Sequence, residues 1–151
     1  MLRHTLATLA YRAAKAVRDM PAEAAVYKSG DGGPAPVDIL RHMGDLMDWA
    51  LTSVNGATVW KGAEPREWPA EVERFFASLE KLDDRLASGE PLHCVEAKLF
   101  QGPIADALTH TGQIAMLRRM AGAKMKGENY FIADVKEGSV GTEQATPKRE
   151  F

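Results

Sequence analysis

Three side chains in this chain of 151 residues have the types and spacing to share a divalent metal: His42, Asp106 and His110. Asp106 and His110 stand four apart, so on a helix they project from successive turns toward one point. Imidazole nitrogen and carboxylate oxygen both bind divalent first-row metals, and three protein ligands leave positions for water or substrate. On a helical wheel Leu99, Pro103, Asp106, His110, Gln113, Leu117 and Met120 fall along one stripe, apolar at both ends. The acid, the imidazole and the amide are therefore expected to face the core, where each needs a partner. The plainer reading of such a pair is a buried hydrogen bond that fixes helix register. Gln113, one turn past His110, is expected to support a ligand rather than to bind metal itself.

His42 is the natural third member, because it shares a helix flank with Ile39, Leu46 and Trp49 at the edge of a wide apolar arc. From there it reaches inward without displacing the seam residues, and Trp49, seven residues on, can wall the pocket. Tyr27 and Trp60 read as packing residues, and His4 as a solvated residue of the first helix. His93 beside Cys94 suggests a thiolate–imidazole pair, but adjacent helical residues point about 100° apart and no third group orients them. Arg118 and Arg119 are expected on a solvated face or on helix C-terminal carbonyls.

Helical periodicity supplies the elements that must position these residues. Leu2, Leu6, Leu9, Ala13, Ala16, Val17 and Met20 make one stripe, ended by Pro21. Gly30, Gly32, Gly33 and Pro34 mark a loop, after which Pro36 suits the first turn of a helix running to about Val54. Leu40, Met43, Met47, Ala50 and Val54 form its seam. A third helix starts near Pro69, carries Val72, Phe75, Phe76, Leu79, Leu82 and Leu86, and ends at Gly89 and Pro91. The fourth periodic segment spans 95–120, with Gly102 and Pro103 as a start or a kink and Gly122 as a C-cap. Beyond it an irregular tail follows, in which Tyr130, Phe131, Ile132 and Val135 can pack back. The reading is all-α: one domain over 1–151, a four-helix bundle over about 1–122 and a tail over 123–151.

Hydrophobic residues at 45% and charged residues at 26% are ordinary for a globular domain. A formal charge of -2, with no basic stripe interleaved with aromatics, argues against nucleic acid and anionic membrane partners. Arg12, Lys15 and Arg18 interrupt the apolar N-terminus, so neither a signal peptide nor a membrane span is expected. One cysteine, Cys94, fits a reducing compartment, and the expected location is cytoplasmic.

The string Asp106, Ala107, Leu108, Thr109, His110, Thr111, Gly112 and Gln113, followed by Ile114, Leu117, Arg118 and Arg119, resembles the last-helix signature of the DinB/YfiT-like family. That signature has His, three residues, His, one residue, then Gly-Gln. Residues 36–49, with His42 and the later Trp49, resemble the family's second-helix segment. The resemblance covers about 1–122 and implies a four-helix bundle with a three-histidine metal triad, Zn or Ni commonly proposed. His42 and His110 match that triad, while Asp106 stands where the first last-helix histidine would be. Two histidines and a carboxylate also suit iron and manganese. The resemblance further implies a homodimer and a small-molecule substrate. Several members are transferases or isomerases using low-molecular-weight thiols of the bacillithiol, mycothiol or glutathione kind. Thiol S-transfer is the favoured expectation. The alternatives are a metal-dependent hydrolase and a non-catalytic stress-response or ligand-binding protein with a structural or adventitious metal.

Overall fold

The chain was analysed as a computed structural model, which describes residues 1–30 and 32–151. Each long helix forms where its apolar residues recur at three- and four-residue steps. Helix α1 is Leu2–Val17, α2 a single turn Ala22–Ala25, α3 Pro36–Val54, and α4 Trp68–Ala87. Helix α5, Glu96–Leu99, passes through a wide turn at Phe100–Ile104 into α6, Ala105–Met120. No strand forms among the described residues; one isolated antiparallel bridge joins Glu128 and Glu150.

Helix α3 starts as Pro36 implies, and Asp38 accepts the Ala35 amide at 3.2 Å, satisfying one donor the first turn leaves over. Past its end Gly56 takes φ +86°, a left-handed conformation that costs glycine little, and Gly89 does the same after α4 at +73°. Helix α1 stops three residues short of the expected Met20. Arg18 is extended and Asp19 sits at φ 51°. Arg118 provides the reason: its buried guanidinium donates to the carbonyls of Ala16, Arg18 and Asp19, and to that of Ala123. The end of α1 is thus capped by a side chain from α6, which fits the expected carbonyl role for Arg118, while Arg119 is exposed, the solvated alternative.

The four long helices form a ring in the order α1, α4, α3, α6, each packed on two neighbours. The expected seam of α3 is wholly buried, and Leu6, Leu9, Phe75, Leu79, Leu82 and Ile114 complete one continuous core. Polar groups inside it are paired. Arg74 donates to Asp45 at 2.8 Å, Glu71 at 3.1 Å and Asp48 at 3.0 Å, and also to the Arg41 carbonyl. Asp45 and Glu71 in turn accept the Ala63 and Arg66 amides, so this charge cluster ties down the loop 55–67 between α3 and α4.

The tail is irregular, as expected, and returns to α1. Tyr11 donates to the buried Glu128 at 2.6 Å, and Lys15 bridges Glu128 and Glu150 at 2.7 and 2.8 Å. Tyr130 meets Tyr11 edge to face, and Val140 enters the core. Phe131 is 96% exposed and Ile132 40%, so these two do not pack back as their apolarity suggested. No described helix is long and apolar enough to cross a membrane.

Candidate metal centre

Helices α3 and α6 lie side by side, and their facing edges carry the three expected ligands. One ligand atom from each of His42, Asp106 and His110 lies within 4.8 Å of the others. Nε2 of His110 is 3.4 Å from Asp106 Oδ1, and Nε2 of His42 is 3.6 Å from Asp106 Oδ2. These separations exceed ordinary hydrogen-bond lengths. The two contacts end on different oxygens of Asp106, so the one carboxylate reaches both imidazoles; ligand atoms about a metal with bonds of about 2.1 Å stand about 3.4 Å apart, and the cluster is of that order. The two imidazoles cross edge to face with centroids 5.0 Å apart. The donor set and its spacing therefore fit a divalent cation.

Gln113 stands where a supporting residue should. Its Oε1 lies 2.7 Å from His110 Nδ1 and can accept a hydrogen bond there, which leaves Nε2, the atom nearer Asp106, as the ring's ligand atom. That bond also fixes the plane of the ring.

The site is not buried, contrary to the core-facing stripe expected for the fourth segment. The side chains of His42, Asp106 and His110 are 39%, 47% and 20% exposed. Gln113 and Met120 are exposed as well. The core face of α6 is Ala107, Thr111, Ile114 and Arg118, each one residue beyond the expected position. The cause lies at the turn Phe100–Ile104, where Gly102 leaves helical geometry at φ -94°, ψ -105° and Pro103 has no amide to give. The kink re-aims α6, so the face it turns to the core is not the one a single unbroken helix through 95–120 would present. Leu99, ahead of the turn, and Pro103, within it, are buried as expected.

Trp60 was read from sequence only as a packing residue. It lies on the loop 55–67, half exposed, with its ring 5.6 Å from His42 and 5.8 Å from Trp49. No periodicity marks a loop residue, so nothing in the sequence pointed to this contact. Trp49 does wall an open cleft, which runs along Leu46, Ala105 and Asp106. His4 is exposed on α1, and His93 is exposed with its amide on the Val54 carbonyl. No hydrogen bond joins His93 to Cys94 among the described residues, and burial pushes the Cys94 thiol up, away from the reactive thiolate.

What the arrangement can do follows from its donors: hold one cation at the bundle surface, with the side away from α3 and α6 open to a further ligand. No family model, curated protein or solved structure matches the chain.

Proposed function

We propose that the chain binds a divalent metal through His42, Asp106 and His110, and that it uses this centre to activate a low-molecular-weight thiol for transfer to an electrophile. Kinship with the DinB/YfiT-like bundles, drawn from residues 36–49 and 106–113, is part of the same proposal. The observation that carries it is the convergence of the three donors, one ligand atom of each within 4.8 Å of the others. Zn or Ni is the expected occupant, with Fe or Mn compatible with the carboxylate. A bound divalent cation deprotonates a coordinated thiol, whose free pKa lies near 8.5, and so supplies a thiolate at neutral pH.

The chain's own groups do the rest. Gln113 orients His110 through Nδ1, and Trp60 covers His42 on the loop side. Asp106 borders both the ligand cluster and the cleft along Leu46 and Ala105, so the cleft would hold an electrophile next to a group bound at the metal. The carbon–sulfur bond forms as the leaving group departs with its electron pair, and the thiol proton passes to solvent.

Three protein ligands and partial exposure favour an open site over a closed structural one, which takes four. The same exposure of Asp106 supports a second reading, in which water takes the open position and the reaction is hydrolysis. Metal-replete protein assayed with a thiol plus an electrophile, and separately with ester substrates, divides the two. His110→Ala should abolish both metal and turnover. Undiminished thiol transfer in that variant would reject the proposal.

A further inference from the structure

The kinked turn that leads into α6 also opens space between Phe100–Ile104 and α3. Two hollows meet there, sharing Trp49, Gln101 and Gly102 in their walls. The outer one, about 410 Å³, reaches Asp106. The inner one, about 260 Å³, runs away from the metal ligands, and its apolar walls are Trp49, Leu99 and Pro103. A dry apolar cavity of about 150 Å³ already accepts benzene, so this one has room for an aromatic ring or a branched alkyl group.

Polar groups in the inner hollow are few and unengaged. Ser53 is 9% exposed, lines the cavity, and its hydroxyl makes no hydrogen bond among the described residues. Hydroxyls elsewhere on α3 and α6 behave differently: Thr52, Thr109 and Thr111 all bond a carbonyl of their own helix. Among the described residues no fully enclosed side-chain polar atom lacks a partner, so the Ser53 hydroxyl stays accessible from the cavity. Thr58, across from it, holds a left-handed φ of 41°, strained for a β-branched residue. Lys98 is the one charged residue in the lining; it has no ion-pair partner among the described residues, and no carboxylate faces it there. Buried polar groups normally find partners, and strain persists where a site uses it.

We infer that this cleft binds an amphipathic carboxylate: an aromatic or branched alkyl body held by Trp49, Leu99 and Pro103, with its anionic end at Lys98 and the hydroxyls of Ser53 and Thr58. A substrate so held places its far end beside Asp106. Only that last step rests on the metal-centre reading; the body and the carboxylate bind without it.

Cys94 also lines the inner hollow and is the chain's single cysteine, which makes it a built-in reporter. The test is the rate of Cys94 alkylation by N-ethylmaleimide in metal-free protein, with 4-phenylbutanoate or 4-phenylbutan-1-ol added. The acid should protect Cys94 saturably, and the alcohol at about tenfold higher concentration, since a hydrogen bond to a charged group is worth that much. Exposed Lys98 can be changed without disturbing packing, and Lys98→Gln should raise the acid's half-protection to that of the alcohol while leaving the alcohol unchanged. His110→Ala, unable to hold a metal, should still be protected as the wild type is, so a failed metal site leaves this result standing. Absence of protection by either compound at millimolar concentration, or equal protection by the acid in Lys98→Gln, overturns the inference.

Discussion

At the scale of single residues, the candidate centre depends on where lone pairs point. Gln113 accepts from His110 Nδ1 and so presents Nε2. Gln113→Leu removes that support and should weaken metal affinity by about 10- to 100-fold while leaving the fold intact, as loss of an outer-shell partner usually does. Calorimetric titration with Zn reads this directly; unchanged affinity would show that the amide orients nothing. Trp60 provides an optical test. Its ring lies 5.6 Å from His42, so Co or Ni bound there should quench indole emission, and Trp60→Phe should remove much of that quench with affinity retained. The three side chains that converge were legible in the sequence because His and Asp at four-residue spacing are conspicuous on a helix. Its exposure was not: Gly102 and Pro103 marked a start or a kink, but the direction in which the kink turns α6 is not written in residue types. Trp60 was illegible for a different reason: loop residues have no period to read.

At the scale of elements, the bounds of α3 and α4 were readable from Pro36, Pro69, Gly56 and Gly89, whose backbone chemistry acts locally. The stop of α1 was not, since Arg118 imposes it from about a hundred residues away. Arg118→Met should destabilise the protein by about 2–4 kcal/mol, because several carbonyls lose a buried charged donor at once. Packing of α3 on α4 was likewise hidden in Gly44. A Cβ there would meet the Arg74 guanidinium at 2.6 Å, and that guanidinium is held in place by Asp45, Asp48 and Glu71. Gly44→Ala should therefore cost about 1–3 kcal/mol despite the better helix propensity of alanine, as overpacking does. A chemical denaturation midpoint equal to wild type would contradict the close approach.

At the scale of the whole molecule, composition and periodicity were enough to reach an all-helical chain with an irregular tail, since both follow from counting apolar steps. How the tail attaches was beyond that reading: the burying contacts are Glu128 and Val140, a charged residue and an isolated aliphatic one, rather than the aromatic run around Phe131. Lys15 ties the tail down. Burial alone would lower its pKa, but hydrogen bonds to Glu128 and Glu150 outweigh that and raise it, while Lys15 holds the Glu150 carboxyl below the usual range. The signs give a window. The Glu150 contribution is present above the ordinary carboxylate pKa and is lost as pH falls through its lowered folded value; the Lys15 contribution is present below the ordinary lysine pKa and fades only as pH rises through its raised one. The tail should thus stay docked across neutral pH and loosen in acid. Lys15→Met, which leaves Glu128 buried with only Tyr11, should destabilise by about 3 kcal/mol at neutral pH, and cleavage of the tail by added protease should accelerate.

The whole account turns on whether two imidazoles and one carboxylate share a cation at the edge of α3 and α6. Elemental analysis of untagged protein, purified without chelator or nickel resin, then exposed to Zn and desalted, decides it. The expected result is about one equivalent of divalent metal per chain in the wild type and almost none in His110→Ala, by the stoichiometry of a single site. Metal-free wild-type protein, or equal metal content in the two, would contradict the claim.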